Sequence, residues 1–142
     1  MTIKETAGKI LLYFYQLQRT VPLSMQNRQL GFISKKDGSV SLTSDKKWLT
    51  ENLLSINPKS ADILNAFTFL LDKKYIVSRE RVSGEARIYV GVQVVGAGID
   101  VIEGIERGDD GKHEFNVAFN IAINSGVDVE RLISDNLGML SE

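Results

Sequence analysis

Eight side chains between residues 59 and 87 have the types and spacing that suit binding chemistry: Lys59, Ser60, Asn65, Lys73, Lys74, Arg79, Arg81 and Arg87. Lysine and arginine neutralise phosphate charge. An asparagine amide donates and accepts at once, which matches the adenine edge in a DNA major groove. Catalytic chemistry has no such cluster. The one histidine, His113, stands between Lys112 and Glu114 and reads as a surface residue. With no cysteine, thiol nucleophiles, thiolate metal sites and disulfides are all absent. Gly96-Ala97-Gly98 lacks the third glycine of a dinucleotide loop, and no P-loop lysine or H-E-x-x-H motif occurs. Asp109-Asp110 supplies too few oxygens for calcium. The expectation is a protein that is not an enzyme and needs no cofactor or metal.

The totals bound the rest. A chain of 142 residues, 43% hydrophobic and 25% charged, fits one ordinary globular domain with a small appendage. No apolar run approaches 18 residues, so no membrane span is expected. The start, Met1-Thr2-Ile3-Lys4-Glu5-Thr6, lacks the charged and apolar stretches of a signal peptide, so the expected location is cytoplasmic. The net charge of −1 hides a split. Residues 1–96 carry 14 Lys/Arg against 8 Asp/Glu, whereas residues 97–142 carry 3 against 10. A basic part joined to an acidic part points to a polyanion-facing surface.

Elements must position the eight residues. Ile3, Ala7, Ile10, Phe14 and Leu17 predict a helix over residues 3–19, with Leu12 and Tyr15 on its other side. Val21-Pro22 ends it. Residues 30–34 and 39–42 predict a hairpin turned by Lys35-Lys36-Asp37-Gly38, with one strand available to a larger sheet. A short helix follows over residues 44–54, capped by Thr43 or Ser44. Asn57 as N-cap and Pro58 at the first position open a third helix that runs to about Tyr75, with Ser60 as a second possible cap. Its apolar stripe is Ile63, Leu64, Phe67, Leu70 and Leu71. A second strand pair spans residues 76–95 and bends at Ser83-Gly84-Glu85, and a fourth helix covers residues 99–105. Residues 108–112 read as a linker. Phe115, Val117, Phe119, Ile121 and Ile123 then alternate with small or polar residues, as in a one-faced strand over residues 115–124. A last amphipathic helix, residues 127–140, carries Val129, Leu132, Ile133, Leu137 and Leu140.

Two runs, Leu70-Leu71-Asp72-Lys73-Lys74-Tyr75-Ile76 and Gly98-Ile99-Asp100-Val101-Ile102-Glu103, carry a resemblance. The first resembles the end of the recognition helix, and the second the closing signature, of the winged helix-turn-helix family. The likeness is nearest to small winged-helix proteins of phages, prophages and their bacterial hosts. This chain has Val95 or Gly96 where the family has threonine, and Val101-Ile102 where it has tyrosine-leucine. The implied fold is α+β: a winged helix-turn-helix over residues 1–106 with an inserted hairpin. Residues 107–142 form a strand–helix appendage.

That resemblance implies a third helix in the major groove and a wing along the DNA backbone. Lys59, Ser60 and Asn65 then stand at the start of the reading helix, and Lys73, Lys74, Arg79, Arg81 and Arg87 meet phosphates. The expected function is a DNA-binding regulator acting by site occupancy, with double-stranded DNA as partner. It is expected to be a homodimer joined through Phe115, Val117, Phe119, Ile121, Ile123, Leu132, Ile133 and Leu137. One observation points elsewhere. Asp62, Phe69 and Asp72 share the helix face with Asn65, which suits a protein partner better than phosphates. The alternative is an adaptor that binds a protein through its winged-helix surface without DNA.

Overall fold

The computed structural model describes residues 2–20 and 29–106 as an α+β fold of four helices and one four-stranded antiparallel sheet. The elements are α1 (Ile3–Thr20), β1 (Gln29–Ser34), β2 (Val40–Ser44), α2 (Lys47–Ile56), α3 (Ser60–Asp72), β3 (Ile76–Ser83), β4 (Ala86–Val94) and α4 (Gly96–Glu106). The expected linker, the strand over 115–124, the helix over 127–140 with its oligomerisation residues, His113 and the helix break at Val21-Pro22 lie outside the described residues. No described helix is long and apolar enough to cross a membrane.

The strand order is β2-β1-β4-β3. Each outer pair is a local hairpin. Gly38, with φ of +85°, turns β1 into β2, and Gly84, at +60°, is the first of two loop residues between Ser83 and Ala86. Both positions need the left-handed region that glycine enters without a Cβ clash. The inserted hairpin joins the sheet through β1, which pairs with β4 from Gln29↔Val90 to Ile33↔Ala86.

Helices cover one face of that sheet. Leu30, Phe32, Leu42, Ile76, Tyr89, Val92 and Val94 are buried there against α1 and α3. Phe67 of α3 lies at the centre, fully buried, with ring centroids 4.7 Å from Tyr89, 6.1 Å from Phe32 and 6.3 Å from Phe14. α1 is buried on both sides of its wheel, Tyr15 included, as its two apolar faces require. Its Gln18 amide bonds both backbone groups of Val94, accepting at 2.9 Å and donating at 3.2 Å.

α1 meets α2 and the α2–α3 turn through polar groups as well. Asn52 Nδ2 donates to the Tyr13 hydroxyl at 3.0 Å, and Asn57 Nδ2 to Thr6 Oγ1 at 3.1 Å. Burial pushes the Tyr13 phenol up to about 12, against the opposing effect of Asn52. A raised pKa favours the folded state below the unfolded value near 10, and that contribution is lost as pH rises towards 12. Urea titrations from pH 9 to 12 should therefore show Tyr13→Phe losing about 1–3 kcal/mol less stability over that window than the parent chain. Parallel pH curves for the two proteins would place the Tyr13 hydroxyl in water.

Several expected boundaries move. Thr43 and Ser44 do not cap α2; both belong to β2, and the N-cap is Lys46 with no side-chain bond. The Ser44 hydroxyl donates to the Lys46 carbonyl at 2.6 Å. Asn57 is not the N-cap of α3 and Pro58 is not its first residue. Asn57 ends α2, its N–H donating to the Leu53 carbonyl, while its Oδ1 accepts the Lys59 N–H at 2.9 Å. Lys59 is the N-cap of α3. The helix stops at Asp72, before Tyr75. There the Lys74 N–H bonds the Leu71 carbonyl and the Tyr75 N–H bonds the Leu70 carbonyl, the paired bonds of a Schellman turn. α4 starts at Gly96, so Gly96 and Gly98 lie inside the helix that they were expected to precede.

Lys74 closes that turn at φ +61°, the one described non-glycine residue in the left-handed region. Lys74→Gly should raise the unfolding free energy by about 0.5–1 kcal/mol, read as a higher urea midpoint. An unchanged or lower midpoint would mean that the lysine side chain offsets its own backbone cost.

Candidate nucleic-acid interface

Asn57-Pro58-Lys59 joins α2 to α3 as a tight turn. Asn57 holds it from three sides. Its amide donates to Thr6 on α1 and to Asp62 Oδ2 on α3, the latter at 3.3 Å, while its carbonyl oxygen accepts from Lys59. Asp62 is thereby tied to the turn at the α3 N-terminus, where helix polarity favours a carboxylate. The bond leaves Asp62 half-buried.

The solvent side of α3 starts with Lys59, Ala61 and Asn65, all exposed. Ser60 does not project with them. Its hydroxyl accepts the Leu42 N–H at 3.2 Å, fastening α3 to the outer edge of β2. Phe69 is half-buried against the core with the Lys73 ammonium 5.7 Å over its ring. Phe69 shares the wheel face of Asn65 but is thus largely covered. Lys73 and Lys74 flank the C-terminal end of α3, and Asp72 is exposed beside them.

The three arginines of the β3–β4 hairpin do not share a face. In an antiparallel sheet, directly opposed residues project to the same side. Arg87 is opposite Phe32 and Val82, so it points to the helix side. Arg79 is opposite Val90 and Arg81 opposite Ile88, so both point away from the helices. A β-bulge sets this division. Two residues of β4, Gly91 and Val92, stand against Ser78 alone, and Gly91 has φ +68°. The extra residue swaps the parity of β4, turning Tyr89 and Arg87 inward and Ile88 and Val90 outward.

Arg87 is also engaged. Its Nε lies 3.3 Å from Glu80 Oε1, on a pair about half exposed. Burial holds the neighbouring Tyr89 phenol above its ordinary value, while a hydrogen bond to Arg87 opposes the shift. The two hairpin turns meet at one end of the sheet, where the Ser34 N–H bonds the Glu85 carbonyl at 3.1 Å. Lys35, Lys36, Arg81 and Arg87 stand towards that end with Asp37, Glu80 and Glu85, so its charges nearly cancel. Asp37 accepts both the Ser39 N–H and the Ser39 hydroxyl, which holds its carboxyl below the usual range.

No protein family, curated protein or solved structure matches this chain. One feature escaped the sequence reading. A cleft of about 500 Å³ opens between the two turns and α3, lined by Phe32, Lys35, Leu64, Val82 and Arg87 among others. Val82, 65% exposed, stands at its side. Its signal was an apolar residue in a strand otherwise polar from Ser78 to Ser83.

Proposed function

We propose that this chain is a cytoplasmic winged helix-turn-helix regulator that binds double-stranded DNA and acts by occupying its site. The observation that carries the reading is the α2–α3 unit. A tight turn held by Asn57 presents the first half of α3 with Lys59, Ala61 and Asn65 in solvent. Lys46 and Lys47 lie at the start of the preceding helix, just after the strand that α3 is fastened to. In this reading Asn65 contacts a base edge and Lys59 a phosphate. A homodimer would bring two α3 helices to half-sites about one DNA turn apart.

The test is fluorescence anisotropy with a labelled duplex at low and near-physiological salt. Lys59→Ala should weaken binding on every sequence alike and lower the salt slope by about 1. Asn65→Ala should cost about 1–3 kcal/mol, on the preferred site only. Arg79→Ala with Arg81→Ala should leave affinity and slope unchanged, because both side chains point away from α3. Loss of binding in the arginine pair, with Lys59→Ala silent, would move the interface to the other face of the sheet.

A second reading rests on the cleft beside Val82. An adaptor would seat an apolar side chain of a protein partner between Leu64 and Val82. Such a contact would be insensitive to salt, and the duplex would not bind even at low ionic strength.

A further inference from the structure

The sheet face turned away from the helices carries Ile33, Val77, Ile88 and Val90 as an apolar band across β1, β4 and β3. Ile33 is 38% and Val77 44% exposed. Arg79 and Arg81 flank the band on β3. No Asp or Glu projects to this face from any of the four strands. The bulge adds relief. Gly91 has no side chain, and a hollow of about 350 Å³ opens there, lined by Val77, Arg79 and Gln93.

The chain contains a segment with the complementary pattern. Residues 107–142 follow directly on α4 and carry 7 Asp/Glu against 3 Lys/Arg. Within them, Phe115, Val117, Phe119, Ile121 and Ile123 alternate with small or polar residues, and Glu114 precedes the first. The eight residues 107–114 that separate this run from α4 span up to about 26 Å when extended. The free edge of β3 is a poor alternative, because Arg79, Glu80 and Arg81 stand in a row along it and oppose strand addition.

We propose that the run 115–123 of this same molecule lies across the outer face of the sheet. Its apolar side covers Ile33, Val77, Ile88 and Val90. The acidic flank that begins at Glu114 complements Arg79 and Arg81. The inference is independent of DNA binding, and it leaves Leu132, Ile133 and Leu137 for a second copy.

The chain has no cysteine, so two introduced thiols report on this arrangement alone. Full-length protein with Gln93→Cys and Asn120→Cys is treated with a short bismaleimide at low concentration. Gln93 lies on the outer face, and Asn120 is outside the apolar alternation. The control pairs Asn120→Cys with Asn65→Cys on α3. The expected result is a product of monomer mass, at least about tenfold more abundant for the Gln93 pair than for the Asn65 pair, because covering fixes a high local concentration. Equal yields, no product in either pair, or a product of dimer mass only would each overturn the proposal.

Discussion

Gly98→Ala is expected to lower the unfolding free energy by about 3 kcal/mol, the cost of forcing a methyl group into closed packing. A Cβ at this position would collide with the Tyr75 carbonyl oxygen and stand 2.9 Å from Val94 Cγ1. The carbonyl cannot retreat cheaply. It accepts the Val95 N–H at 3.1 Å and belongs to the turn that ends α3. The glycine is what lets α4 run against the base of the second hairpin. Gly96→Ala is the matched control, since its added carbon meets nothing within 4 Å. Urea unfolding should therefore separate two glycines only two positions apart: a large drop in midpoint for Gly98, little change or a small gain for Gly96. Equal effects would show that helix propensity decides, with no part for the close approach.

Phe67→Ala should cost more, about 3–5 kcal/mol. Phe67 is fully buried and touches three other rings, one from α1, one from β1 and one from β4. Its removal leaves a void between the helix layer and the sheet that none of these fixed elements can close. The expected signature is a lower urea midpoint with an unchanged slope, because the folded and unfolded states keep their surface. A loss under about 1 kcal/mol would mean that the core relaxes around the gap and that the aromatic cluster is not its centre.

The parts of this fold that local chemistry determines were legible in the chain. Apolar spacing marked α1 and the buried stripe of α3, and Gly38 and Gly84 marked the two turns, because each signal lies within a few residues of what it specifies. The parts decided by distant partners were not. Asn57 has the side chain of an N-cap, yet it ends α2 and reaches back to Thr6, 51 residues earlier. Ser60 has the side chain of a cap, yet its hydroxyl is taken by β2. The candidate site suffered most from this. Arg79, Arg81 and Arg87 looked like one basic wing because a hairpin was read without its neighbours. Their division depends on the bulge at Gly91 and on the register with β1. A lone glycine inside a strand is the available hint of such a bulge, and the β-branched residues around it carry the stronger strand signal.

The strand order has a kinetic meaning. Two hairpins form from residues close in sequence, but the seam between β1 and β4 joins Leu30 to Tyr89, 59 positions apart. Pairing across it must close the longest loop in the sheet before any contact there repays the lost freedom. The seam is thus expected to form last, after the two local hairpins, which a lower folding rate in a Tyr89→Ala chain would reveal. Phe32 and Tyr89 meet across it, and Phe67 touches both, so the same rings that hold the finished core also reward the encounter that completes the sheet.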